Sequence, residues 1–416
     1  MLDIQRIRTQ KKEVEKALLK RMEQGSFDLD KIIKLDDERK ELIKEADELK
    51  AERNKFSKTK PSPEIITKMK AVGEKIKELD EKLLAAERKF KEAISELPNT
   101  PLEEVAAGGK ENNEVIKEFN KKPKFNFEIK DHVALAKDLK VIDYERGVKI
   151  AGSGFWCYTG TGALMEWALL NYFVEFHKKN RYEFIFPPFM LNEASAYASG
   201  HLPKFRDALF WVEDGFCLNA TSEMMLNNFH RDEILNEAEL PKKYFAYSAC
   251  FRREAGAYRK EERGMVRGHQ FNKIEMFQFT KPEDSAAAFA ELVKNAEKLV
   301  TGLGLHFRTV KLAAGDCSAA MAKTYDIEVW IPSMNEYKEV SSVSNAMDYQ
   351  ARRAGIRFKN KEGKTEFLHT LNASGLATSR LVPAILEQFQ QKDGSVEVPK
   401  VLRKWVGKKK LEKMSS

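Results

Sequence analysis

The chain has 416 residues, 42% of them hydrophobic and 33% charged, with a formal net charge of +8. That length allows two or three domains, the balance excludes a disordered chain, and the basic excess favours an anionic partner, nucleic acid before membrane. No apolar run approaches the ~18 residues that would cross a bilayer.

The opening MLDIQRIRTQKKEVEK has the pattern of an amphipathic, charged helix with no apolar core segment, so it is not read as a secretory signal. The next stretch is almost free of aromatics. Leu35, Leu42, Leu49 and Phe56 recur every seven residues, and after KTKPSP the pattern restarts at Met69, Ile76, Leu83, Phe90 and Leu97. Val72, Leu79, Ala86 and Ala93 form a second seam. Heptads on both sides of a proline-rich break predict two long helices packed as an antiparallel coiled coil over about 27–97. Pro61 and Pro63 cannot continue a helix and mark the tip. Such a hairpin has too small a core for an enzyme and is expected to touch something else.

LPNTPLEEVAAGGKENNEV, with Pro98, Pro101 and Gly108-Gly109, reads as the boundary region between a domain over 1–110 and one over 111–416. Beyond it helix and strand patterns mix. GTGALMEWALLNYFVEFHKK is a predicted helix, followed by a short strand YEFIF ended by Pro187-Pro188. YDIEVWIP, NEYKEVSSVSN and KTEFLHTLNASG read as strands, and ATSRLVPAILEQFQQ as a helix after them. Clustered helices among strand neighbours predict an α+β domain on a central antiparallel sheet flanked by helices. Neither GxGxxG nor GxxxxGK[ST] occurs, so a Rossmann or P-loop nucleotide site is not expected. Four cysteines without a CxxC pair indicate neither a zinc site nor a disulfide framework, and a reducing, cytoplasmic setting is expected.

FRREAG, then a charged loop, then RGHQFNKIEMF resembles the second signature motif of the class II aminoacyl-tRNA synthetases, in its seryl form. GALMEWALLNYF…FPP is similar to the first motif, TSE at 221–223 to the seryl family's serine-binding loop, and HTLNASGLATSR to the block holding the third motif. KTYDIEVW, EVSSVSNAMDYQARR and ASGHLPKF resemble other blocks of that family, and MLDIQRIR, LDDERKEL, AERNK and LPNTP its tRNA-binding arm. The likeness runs from residue 1 to about 403. It departs at AYRKEERG, where SAGRDTRG is usual, at Val343, Ala373 and Gly268, and in an arm shorter than is typical of bacterial members.

The resemblance implies activation of L-serine by ATP and transfer of the seryl group to tRNA(Ser), family-wide also to tRNA(Sec), by a homodimer paired through the first motif and without a membrane. It implies Arg252 on the α-phosphate and seryl carboxylate, Glu254 on the adenine, Phe271 stacked on its ring, and Arg380 on the γ-phosphate and the ring's other face. Arg253, Arg267, Val340 and Ser341 join them in the ATP site. Glu339 and Ser342 would hold Mg²⁺, as hard oxygen ligands suit it, and no zinc is expected. Thr221, Ser222 and Glu223 would take the serine ammonium end with Asn372 in support, and Glu275 and Ser374 would read the hydroxyl. The chemistry accounts for these types: a substrate carboxylate is already ionised, so the site needs positioning and charge, not a protein nucleophile. A non-catalytic nucleic-acid-binding paralogue would have no reason to keep Arg252, Glu254, Glu275, Glu339 and Arg380, and an aminoacyl:carrier-protein ligase would lack the heptads.

Overall fold

The computed structural model describes residues 1–56, 62–254 and 264–413. The expected tip at Pro61 and the charged loop at 257–263 lie outside them. The chain divides into two compact units, Met1–Thr100 and Pro101–Ser416. Residues just beyond Thr100 hydrogen-bond within the second unit: Leu102 N–H donates to the Ala322 carbonyl, and the Ala106 carbonyl accepts from Ala314 N–H.

In the first unit, two short helices (Ile4–Thr9, Lys11–Leu18) precede the long helices α1 (Leu29–Phe56) and α2 (Pro63–Glu96). The Ser62 hydroxyl caps α2 by accepting from Ile65 N–H, and Pro63 takes the first turn, where its missing N–H costs nothing. The heptads face each other: Ile32 and Ala46 of α1, and Val72, Ile76, Ala86 and Phe90 of α2, are buried. Leu35, Leu42 and Leu49 are only half-buried, because a two-helix seam has solvent on both flanks. The cross-links run antiparallel. The Arg39 guanidinium lies 5.0 Å from the Phe90 ring centroid, and Lys50 Nζ lies 2.9 Å from Asp80. The 34 residues of α2 reach about 51 Å at a helical rise of ~1.5 Å. Near the base of α1, the fully buried Asp36 carboxylate accepts from Arg8 at 2.8 Å, Arg39 at 2.7 Å and Lys40 at 2.9 Å.

The second unit is built on one large sheet. Its strands are β1 (Glu114–Phe119), β2 (Glu183–Ile185), β3 (Lys242–Phe251), β4 (Gln270–Thr280), β5 (Phe307–Lys311), β6 (Lys323–Ile331), β7 (Glu336–Met347) and β8 (His369–Ala377). They lie in the order β1-β5-β6-β7-β8-β4-β3-β2. Every neighbouring pair is antiparallel except the edge pair β2–β3, which is parallel. The expected antiparallel sheet is therefore mixed at one edge, where the strand after a long helix returns in the direction of β3. The helices α3 (Gly160–Lys179), α4 (Ser285–Leu303) and α5 (Thr378–Gln388) cover one face. Leu169 and Phe173 of α3, Leu292 and Leu299 of α4 and Leu381 of α5 meet Ile274, Met276, Val343 and Leu371 of the sheet there. KTEFLHTLNASG divides into a short strand Thr365–Phe367 and β8. At the start of α3 only glycine fits at 162, since an added Cβ would stand 1.9 Å from the Val141 carbonyl oxygen.

Alternation along these strands makes the site. Ile274 and Met276 of β4, Leu371 and Ala373 of β8, and Val343 of β7 point into the helix-covered core. Their neighbours Lys273, Glu275, Asn372, Ser374, Ser342 and Ser344 point to the other face and line one cavity.

Candidate active site

That cavity has a volume of about 390 Å³. At one end the β4–β8 register sets Glu275 opposite Ser374, with Asn372 one pleat away. Glu275 is 1% exposed. Its Oε2 lies 2.5 Å from Lys273 Nζ, and its Oε1 accepts from Asn372 Nδ2 at 3.2 Å. The Thr221 hydroxyl oxygen accepts from Lys273 Nζ at 2.5 Å and from Glu223 N–H at 3.2 Å, and its proton points to Glu275 Oε2 at 3.4 Å. Glu223 is also buried and accepts from Gln350 Nε2 at 2.6 Å. Burial first, and the negative charge of Glu275 second, push its carboxyl up to about 7. This end is a small, polar chamber with two carboxylates and one ammonium on its wall. It can hold a cation and a hydroxyl at once.

The other end carries the arginines. Arg252 follows β3, where its Nε donates to the Ala220 carbonyl at 3.3 Å. Its guanidinium stands 5.1 Å from the Phe271 ring centroid. Glu254 sits in the left-handed region, φ +49°, which a glutamate adopts only when its surroundings hold it there. Arg267 does so, reaching Glu254 Oε2 with Nε at 2.7 Å and Nη2 at 2.6 Å. Arg380, in the first turn of α5, donates from Nη1 to the Glu339 carbonyl at 2.8 Å and from Nε to the Val266 carbonyl at 3.1 Å. Arg252, Glu254, Arg267, Phe271, Glu339 and Arg380 line one recess. A flat ring with a polyanion attached matches such a lining: planar cations and an aromatic face, with hydrogen-bond acceptors at the rim.

Between the two ends, β7 contributes Glu339 and Ser342 to the same cavity. Residues three apart in a regular strand face opposite ways. Here the β6–β7 register shifts between Ile327/Glu328, so that Ser341 pairs with Ile327 but Glu339 with Glu328, leaving Val340 as an extra residue. Val340 and Val343 enter the core, and Glu339 and Ser342 come to one side. Across the ladder Asp326 pairs with Ser342. Asp326 is buried, and its Oδ1 has no hydrogen-bond partner among the described residues. Burial first and the Glu339 charge second raise its carboxyl well above the usual range, partly opposed by a hydrogen bond from Ser342. A carboxylate and a hydroxyl on the cavity wall, with a second buried carboxylate across the ladder that has one unmatched oxygen, fit a hard divalent cation.

The structure brings together Thr221, Glu223, Arg252, Glu254, Glu275, Glu339, Ser342, Asn372 and Ser374 around the main cavity, and Arg267, Phe271, Val340 and Arg380 around the adjoining recess. Ser222, Ser341 and Arg253 are not among those linings. The Ser222 hydroxyl is bound to that of Ser248 at 2.6 Å, and Ser341 donates to the Ser374 carbonyl at 2.6 Å. Arg253 is exposed, with its backbone N–H on the Ala208 carbonyl. Two residues that the sequence reading passed over line the cavity, Lys273 and His201, and a third, Asp326, stands across the ladder from Ser342. Lys273 shares the face of Glu275 two positions on, a signal that strand alternation alone could have given. Asp326 needs the β6–β7 pairing to be seen. His201 lines the cavity with Nδ1 3.0 Å from the Ser199 hydroxyl, and burial foremost, then the charges of Arg252, Lys273 and Arg353, hold its imidazole down at about 4.

The chain is similar to known proteins over its whole length. Residues 1–101 match the seryl-tRNA synthetase N-terminal domain, and residues 210–389 match the tRNA synthetase class II core domain (G, H, P, S and T). The chain is 56% identical to serine–tRNA ligase 2 of Clostridium acetobutylicum, over 99% of this chain and 100% of that one. It is 44% identical to the serine–tRNA ligase of Chlorobaculum parvum, over 98% and 99%. The solved structure of seryl-tRNA synthetase from Pyrococcus horikoshii complexed with ATP superposes with a TM-score of 0.90 at 32% identity, covering 100% of both chains. With a seryl-tRNA synthetase N-terminal domain, a class II core and full-length relatives at this identity, the chain belongs to the seryl-tRNA synthetase family.

Proposed function

We propose that this chain activates L-serine with ATP to seryl-adenylate and transfers the seryl group to the 3′ end of tRNA(Ser). The observation that carries the reading is the buried Glu223–Glu275–Lys273–Thr221 chamber opening beside Arg252. In the first step a serine carboxylate oxygen bonds to the α-phosphorus as the bond to pyrophosphate breaks. Arg252 holds the carboxylate and α-phosphate in line, and its planar fork offsets the charge that gathers there. Glu223 and Thr221 take the ammonium, and Glu275 with Ser374 reads the hydroxyl. A chamber with buried hydrogen-bonding groups rejects a substrate lacking the hydroxyl by ~10⁴-fold or more. Glu254 reads the adenine edge while Phe271 and Arg380 enclose its faces. Glu339 and Ser342, with Asp326 beside them, would hold Mg²⁺, which when bound neutralises the phosphates. In the second step a ribose hydroxyl of tRNA bonds to the seryl carbonyl carbon and AMP leaves.

The same reading assigns the arm of α1 and α2 to the tRNA, whose helices are read by shape and phosphate rather than base edge. It also assigns the exposed Leu164 and Trp167 of α3 and Phe184 of β2 to a homodimer interface, since an apolar patch on a sheet edge seeks cover. We place the activity in the cytoplasm. The test is serine-dependent ATP–pyrophosphate exchange on the purified protein, stopped by EDTA and restored by Mg²⁺. Equal exchange with threonine would overturn the chamber assignment.

A further inference from the structure

Glu166 has no part in the chemistry above. It lies on α3 and is 3% exposed, although its neighbour Trp167 is 58% exposed. A buried carboxyl is expensive unless it is needed. Its Oε1 accepts two hydrogen bonds from two other elements: Asn272 Nδ2 of β4 at 2.8 Å and the Thr378 hydroxyl of α5 at 2.5 Å. Asn272 follows Phe271 directly. Thr378 opens the helix turn that carries Arg380. One oxygen thus ties α3 to both elements that flank the recess for the nucleotide.

The surroundings fix this oxygen further. Asn272 is held from its other side by the Tyr247 hydroxyl, which donates to Asn272 Oδ1 at 3.0 Å. The Tyr247 ring stands 6.2 Å from that of Trp167. Glu166 Oε2 and the Tyr158 hydroxyl are both buried and face each other. Burial pushes the Glu166 carboxyl up to about 7, so a neutral form is accessible near neutrality. A neutral carboxyl leaves Oε1 free to keep accepting from Asn272 and Thr378. The arrangement needs an acceptor at Oε1 and does not need a charge.

We propose that Glu166 is a positioning residue for ATP: through Asn272 and Thr378 it sets Phe271 and Arg380 against each other across the nucleotide recess. This rests on the assignment of Phe271 and Arg380 to ATP. Loss of a hydrogen-bond acceptor shared by two buried donors is expected to raise the KM for ATP about tenfold. In ATP–pyrophosphate exchange, Glu166→Leu should show that rise with the KM for serine unchanged. Glu166→Gln keeps the acceptor, turns its amide toward Tyr158, and should restore the KM for ATP. A merely structural role would lower the active fraction and leave both KM values alone. Such a result, or a Glu166→Gln variant as impaired as Glu166→Leu, overturns the proposal. If Glu166→Leu fails to fold, Thr378→Val removes only one donor, and an unchanged KM for ATP in that variant also overturns it. Phe271→Ala and Arg380→Ala are the controls for the underlying assignment. If neither raises the KM for ATP, that assignment fails, whatever Glu166 does.

Discussion

Lowering the pH should weaken serine binding through Glu223. In the folded protein its carboxyl titrates at about 7, raised by burial and by Glu275. The ammonium of serine needs the ionised form, and neither charged group of serine titrates between roughly pH 5 and 8. With a midpoint of about 7, about half of the molecules are ionised at neutrality, about a tenth at pH ~6 and about a hundredth at pH ~5. The KM for serine should therefore climb as pH falls below the midpoint, approaching tenfold per pH unit until it reaches the plateau set by binding to the neutral carboxyl, and should level off above the midpoint. Glu223→Gln removes the charge but keeps an oxygen for Gln350, and it should cost about 2 kcal/mol of serine binding, roughly thirtyfold, at high pH. Its KM should be flat across the same range. The assay is pyrophosphate exchange with ATP held saturating at each pH. A wild-type KM that is flat from about pH 8 to 6, or a Glu223→Gln variant that keeps the slope, would refute the reasoning.

Four further outcomes are expected. Glu275→Ala should abolish serine activation while the circular dichroism spectrum stays native; a folded variant with normal exchange would make Glu275 a bystander. Lys273→Met strips the ammonium from a buried ion pair, which should cost about 3 kcal/mol in urea unfolding. Adding Glu275→Gln should recover much of that loss, and a strictly additive double variant would contradict the coupling. In the arm, burial alone would raise the Asp36 carboxyl, but hydrogen bonds from Lys40, Arg39 and Arg8 more than reverse this and hold it below the usual range. Stability from a lowered carboxyl is present above its unfolded value, near 4, and is lost as pH falls through the folded value. Asp36→Asn should thus speed amide exchange in α1 at neutral pH, by about 1 kcal/mol given the part-exposed partners, and the difference from wild type should begin to shrink below roughly pH 4 and vanish only once the pH has passed the lowered folded value. Deleting the hairpin should leave pyrophosphate exchange intact and reduce tRNA(Ser) charging, an outcome read from both half-reactions on one dimeric variant.

The arm was legible because its signal is local: a heptad needs only the helix that carries it, and the seams at Ile76, Phe90 and Ala86 are buried as the spacing requires. The helices Gly160–Lys179 and Thr378–Gln388 were legible for the same reason. The parallel edge pair was not, since YEFIF says nothing about which strand it will meet. The site divides in the same way. Residues on β4 and β8 follow from motif and alternation, whereas Ser222 and Ser341 carry the right residue type but spend their hydroxyls on Ser248 and the Ser374 carbonyl. Only tertiary pairing decides that. Asp326 is the converse case, a carboxylate with no local mark that the β6–β7 ladder carries to Ser342.

The extra residue at Val340 makes the parity of β7 a functional quantity. A strand has two sides, and any odd change in the number of residues between two positions exchanges them. Glu-x-x-Ser is an odd spacing that nonetheless opens on one cavity, so the spacing is itself the written sign of a bulge and could be sought as such in other strands. Length variation here is consequently asymmetric. Removing Val340 alone would straighten the ladder, leave Glu339 two residues from Ser342 and still on the cavity side, and cost only the Val340 side chain in the core, whereas inserting a further residue between Glu339 and Ser342 with the bulge kept would turn Glu339 toward the core. This strand can lose its extra residue and keep its face, but it cannot gain another.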